Sequence, residues 1–138
     1  MINIEFAEEI NAAPENFIDK EFNRYATQNG VSCNYRNFCF IAKENGGVVG
    51  VLTGYHYYAE VHVGDLIVLE DHRGKGIGTK LMQEFESYFK DKNFNNISLT
   101  TKEFQAPKFY KKLGYKIEFI RENKENPKLT TYFLVKFF

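Results

Sequence analysis

The chain has 138 residues, which fits one domain spanning 1–138 and leaves little room for a second. At 43% hydrophobic and 26% charged it has an ordinary globular make-up, and a chain of this size buries enough surface to fold without metal or disulfide staples. Its 18 Lys and Arg balance 18 Asp and Glu, so no global field draws in nucleic acid or an anionic membrane, and no basic stripe makes up for it.

The elements follow in chain order. Ile2, Ile4 and Phe6 alternate with polar residues and predict a first strand. Pro14 and Glu15 open a helix carrying Phe17, Ile18, Phe22 and Tyr25 on one face, closed by Asn29-Gly30. Residues 38–43 and 48–58 predict a hairpin about Asn45-Gly46-Gly47, and a further strand runs over about 60–69. Gly64 inside that strand predicts a bulge near Val63-Gly64-Asp65 that splits the sheet. From 76 to 92 the period becomes helical, through Ile77, Leu81, Met82, Phe85 and Phe89. A strand at 96–101, a short helix at 106–113, and strands at 115–121 and 129–138 complete the chain. The order predicts an α/β (α+β) domain: a mixed, mostly antiparallel central sheet flanked by helices.

Cys33 and Cys39 stand six apart with no nearby ligand set, so two reduced thiols are expected, with no metal site. No leader opens the chain and no apolar run approaches the ~18 residues of a membrane span, which makes cytoplasmic residence the expectation. Nothing decides the oligomeric state, and a homodimer stays open.

The chemistry lies between Asp65 and Thr79, where a strand runs into a glycine-rich turn opening an amphipathic helix. Gly74, Gly76 and Gly78 stand at alternate positions, Arg73 and Lys75 add full charges, and a helix N-terminus adds a partial one. This predicts a phosphate or pyrophosphate cradle. A Walker loop is absent, and the dinucleotide fingerprint fails because Thr79 stands where its third glycine belongs.

The string Arg73-Gly74-Lys75-Gly76-Ile77-Gly78 instead matches Gln/Arg-x-x-Gly-x-Gly/Ala, and so resembles the GCN5-related N-acetyltransferase (GNAT) family. Phe109-Tyr110-Lys111-Lys112-Leu113-Gly114-Tyr115 is similar to the same family's Tyr-x-x-x-Gly-Phe/Tyr signature. The resemblance implies acetyl-CoA as cosubstrate, held in a splayed pair of strands. Backbone groups of Leu66, Ile67 and Val68 would pair with its pantetheine arm, and residues Arg73, Gly74, Lys75, Gly76, Ile77, Gly78 and Thr79 would bind the pyrophosphate.

Acyl transfer to an amine needs a neutral nucleophile and a proton for the departing thiolate. Tyr110 is the candidate acid, with a packed core aromatic as the other reading. His62 is the candidate base, with Glu60 on the same strand face, and both equally fit the solvent side of a half-exposed strand. His72 reads as a surface turn residue and His56 as a candidate for the substrate pocket. Glu103 stands where many family members carry Asn, and Gln105 is a possible substitute. The function expected is direct acetyl transfer to a primary amine, a small molecule rather than a peptide N-terminus. The alternative is a CoA-binding sensor or scaffold without catalysis.

Overall fold

A computed structural model describes residues 1–138, in two compact units, 1–34 and 35–138. The first unit contains α1 (Ala12–Gln28). The helix closes in a Schellman arrangement, in which the Val31 and Gly30 N–H groups donate to the Ala26 and Thr27 carbonyls. The strand expected at Ile2–Phe6 does not form: residues 1–11 include no strand. Alternation alone makes no ladder, and this segment has no strand hydrogen-bonded beside it.

The second unit holds β1 (Arg36–Glu44), β2 (Gly47–Tyr57), β3 (Glu60–Val68), α2 (Ile77–Phe89), β4 (Asn96–Lys102), α3 (Pro107–Lys112), β5 (Lys116–Arg121) and β6 (Thr131–Phe137). The strands form one sheet in the order β1-β2-β3-β4-β6-β5, in which only β3 and β4 run parallel. Asn45 and Gly46, both at positive φ, make the two-residue turn of the first hairpin.

α2 covers one face of the sheet. Its Leu81, Met82, Phe85 and Phe89 are buried against Leu52, Val61 and Val63, each such side chain contributing roughly 1.5–3 kcal/mol. Phe38 of β1 stacks on Phe85 at 5.6 Å and reaches Phe89 at 4.8 Å. α3 lies on the same side, pinned at its C-terminal end. There Lys136 Nζ donates to the Leu113 carbonyl (2.8 Å) and to Glu86 Oε1 of α2 (2.7 Å).

The Phe38 ring fits only because residue 54 has no side chain. A Cβ on Gly54 would stand 2.5 Å from Phe38 Cζ and 2.3 Å from the His62 carbonyl oxygen. Gly54→Ala is therefore expected to destabilise the protein by about 1–3 kcal/mol, as overpacked sites do. Urea unfolding should show a lower midpoint with an unchanged slope. Gly64→Ala, whose Cβ would meet only the Thr53 hydroxyl at 3.2 Å, should cost less.

Candidate active site

β3 and β4 pair only over Glu60–His62 and Asn96–Ser98, and beyond those residues the two strands part. The cause lies on the other edge of β3, where Thr53 faces Asp65 while Gly54 faces Val63, leaving Gly64 as the extra residue of a bulge. Thr53 locks it: the hydroxyl accepts the Asp65 N–H at 3.0 Å and donates to Asp65 Oδ2 at 2.9 Å. The bulge expected from Gly64 is thus the hinge of a fork. β3 remains paired with β2 beyond it, so its fork-side backbone groups have no strand partner.

Antiparallel alternation fixes which groups these are. The Leu69 N–H donates to the Val49 carbonyl, so Leu69 and Ile67 turn their backbone groups toward β2, and Leu66 and Val68 turn theirs into the fork. Of the three residues expected to offer backbone groups to a ligand, Leu66 and Val68 are placed to do so and Ile67 is not. The Val68 carbonyl already accepts from Arg73 Nε at 2.9 Å, which ties the end of the fork to the following loop.

That loop begins with a short 3-10 turn, Glu70–His72, and reaches α2 through Gly74 (φ +76°) and Gly76 (φ +82°). No neighbour lies within 4 Å of a Cβ built on either glycine, so the backbone conformation, not lack of space, requires glycine there. Gly78 differs, since a Cβ there would make only an ordinary contact with the Phe109 ring of α3, at 3.5 Å. The first helical bond of α2 runs from Lys80 to Gly76, so the N–H groups of Ile77, Gly78 and Thr79 have no helical partner, and no side chain caps them. Arg73 and Lys75 are exposed and make no salt bridge. Free N–H groups, a helix dipole and two unpaired cations fit the pyrophosphate of a coenzyme A molecule, and the open edge of β3 fits its amide-bearing arm. His72 lies outside this arrangement: its Nε2 bonds Glu44 Oε1 at 3.2 Å, fastening the turn to β1.

His62 stands where the ladder between β3 and β4 ends, on the face away from α2. Its Nδ1 lies 3.0 Å from Ser98 Oγ, its partner in register on β4. When Nδ1 carries the proton, the Nε2 lone pair is left to act. Burial lowers the His62 pKa below its usual value, and the Glu60 carboxylate opposes this only in part, so the ring is neutral near pH 7. Glu60 is exposed on the same face, two residues away.

Tyr110 lies on the opposite face, in the core beneath α2, with Val63, Leu99 and Tyr115. Burial pushes its hydroxyl up to about 12, so it holds its proton throughout the neutral range. His56, a candidate for the substrate pocket, packs instead on the α2 side, against Phe94 (5.0 Å) and Phe89 (5.9 Å). Glu103 accepts a hydrogen bond from the Tyr132 hydroxyl, and Gln105 Oε1 accepts the Lys102 N–H. Both side chains thus hold the loop before α3. Sequence reasoning missed Ser98 and the Thr53–Asp65 lock, because each is a contact between strands whose register no local pattern announces.

A mixed sheet forked at its single parallel pair, with the fork leading to a helix start of free N–H groups, is a fold shared with solved acetyltransferases. The profile of the Acetyltransferase (GNAT) family matches residues 4–115, and the chain belongs to that family. An uncharacterized N-acetyltransferase of Methanocaldococcus jannaschii is 35% identical over 85 residues, covering 59% of this chain and 54% of the relative, about half its length. A blasticidin-S acetyltransferase of Streptomyces morookaense is 33% identical over 95 residues, 67% of this chain and 68% of that one. Among solved structures, an acetyltransferase from Bacillus cereus matches with a TM-score of 0.76 at 27% identity, over 97% of this chain and 98% of that one.

The cradle is tested by Gly76→Val. A β-branched residue at φ +82° carries roughly 1–3 kcal/mol of strain, so CoA affinity measured by calorimetry should fall about 5–150-fold, with thermal stability as the control for folding. Gly78→Ala should leave CoA affinity nearly intact, because its Cβ would make only an ordinary contact with Phe109.

Proposed function

We propose that the chain is an acetyl-CoA-dependent N-acetyltransferase that moves the acetyl group directly to a primary amine of a small molecule. The observation that carries this reading is the position of His62: a neutral imidazole at the apex of the fork whose far end is the anion cradle. The relative named for blasticidin S supports a small-molecule acceptor. No helix is long and apolar enough to cross a membrane, and Cys33 and Cys39 are both free thiols, which suits a cytoplasmic setting.

Acetyl-CoA brings an already activated acyl group, so the protein must supply position and protons. Leu66 and Val68 hold the pantetheine arm along the edge of β3. Ile77, Gly78 and Thr79 offer their N–H groups, and Arg73 and Lys75 their charges, to the pyrophosphate. His62, oriented by Ser98, takes a proton from the incoming ammonium at Nε2, directly or through water, and Glu60 stabilises the imidazolium formed. Tyr110, still protonated at neutral pH, donates its hydroxyl hydrogen bond to the departing sulfur. With its pKa near 12 it stabilises the thiolate as a donor even where full transfer is uphill.

Tyr110→Phe keeps the ring and its packing. It should lower kcat by about 10²–10⁴-fold, as loss of a positioned acid does, and leave CoA affinity nearly unchanged. A fully active Tyr110→Phe protein removes it from the acid role. His62 is unprotonated above its lowered pKa, so wild-type kcat/KM should fall as pH drops through a value below 6.5. His62→Ala should lack that limb, with a defect large near pH 7 and smaller at high pH, where more of the amine is already neutral. A defect equal at every pH means that His62 only shapes the site.

A further inference from the structure

Beside His62 the sheet carries an aromatic surface that the acetyl-transfer chemistry does not use. Tyr55 faces His62 in register, with ring centres 5.0 Å apart. Tyr35 lies 5.6 Å from Tyr55 and Tyr57 lies 5.9 Å from it, and Tyr35 and Tyr57 are 6.4 Å apart, so the three rings close a triangle. Tyr35 and Tyr57 are 51% and 40% exposed. A packing role is filled on the other face, where the phenylalanines meet α2; three half-open tyrosines side by side cover no core. One hydrogen bond and one strand register set the triangle's place. The Tyr35 hydroxyl donates to Asn37 Oδ1 at 3.1 Å, and Tyr57 is in register with Glu60 across the β2–β3 turn. Within that turn Tyr58 is held at φ +53°, an unusual conformation for a bulky side chain.

The charge that acts on these rings from their own strand face is negative. Glu60 lies close enough to help push the Tyr55 hydroxyl up, behind burial and the neighbouring hydroxyls. Where the triangle stands, the strand face it shares bears the Glu60 carboxylate and no lysine or arginine; Arg36 points to the other face by alternation. Tyrosine faces attract cations placed within ~6 Å of the ring centre, and a carboxylate beside them adds to that attraction.

We infer that the acceptor is an amine with a second cationic group, a diamine or polyamine, whose reacting end reaches His62 while the far ammonium lies over Tyr55, Tyr35 and Tyr57. This rests on the N-acetyltransferase reading above and adds the chemical class of its acceptor. It also divides the protonation states. His62 neutralises the near end, and the far end stays charged because an alkylammonium has a pKa of ~10.

The test compares amines of equal length: putrescine with butylamine, and cadaverine with pentylamine, with phenethylamine as a neutral-ring control. With acetyl-CoA, each diamine should exceed its monoamine in kcat/KM by about 3–30-fold, the range of one to two cation–π contacts. Tyr57→Leu and Tyr35→Leu should each lower the diamine value more than the monoamine value, raising KM rather than lowering kcat. Binding is read independently of turnover by titrating the CoA-loaded protein with cadaverine and following tyrosine emission, which no tryptophan masks in this chain. Selective cadaverine binding without turnover of any amine sinks the enzymatic reading and keeps the cationic site. Turnover with no diamine preference does the reverse. Phenethylamine preferred over cadaverine makes the triangle a ring-stacking surface and overturns the inference.

Discussion

Thr53 and Asp65 hold one extra residue in β3, and the rest of the site depends on that interruption. A parallel pair such as β3–β4 would ordinarily zip along its length, satisfying every backbone group and leaving nothing for a ligand. Here the ladder stops after three residues because the Gly64 bulge bends β3 while β4 stays paired with β6 throughout. An unpaired edge of this kind is tolerable only where water or another polar group can satisfy it. The site is thus an absence of pairing, held open by two side-chain hydrogen bonds on the far edge of the same strand.

Around the fork, electrostatics divides by face. At its mouth, orphan N–H groups and two cations without a salt bridge collect positive charge. Burial then acts oppositely on the two titratable candidates in sign but alike in outcome. It lowers a histidine and raises a tyrosine, so that both are neutral at the same pH. A histidine and a tyrosine on opposite faces of the sheet are therefore neutral together, with no charged partner buried to produce either state.

Tyr110 and Tyr115 join the core beneath α2, but around the first hairpin the aromatic side chains are sorted by the same two faces. Phe38, Phe85 and Phe89 fill the space under α2, where a hydroxyl would need a partner. Tyr35, Tyr55 and Tyr57 occupy the opposite face of β1, β2 and the turn, where hydroxyls meet water and ring faces stay available. The same residue class thus builds a core on one side and, on our reading, a cation-binding surface on the other.

Much of this was legible in the chain itself. Asn45-Gly46 fixed a hairpin, the helical spacing of Leu81, Phe85 and Phe89 fixed α2, and Gly64 marked the bulge, because turn chemistry and side-chain period are local properties. The glycine string before α2 likewise announced a positive-φ turn into a helix start, since only its own backbone conformation is involved. The segment Ile2–Phe6 misled, because alternation describes a strand's surface but does not supply its partner. What only the tertiary structure decided were relations between strands: that Ser98 orients His62, that Ile67 turns away from the fork while Leu66 and Val68 turn into it, and that Tyr35 joins Tyr55 and Tyr57. Each depends on register, and a shift of one residue reverses every side chain and every backbone group along a strand. Register is set by bulges and crossovers acting together across the sheet, so no single stretch of sequence contains it.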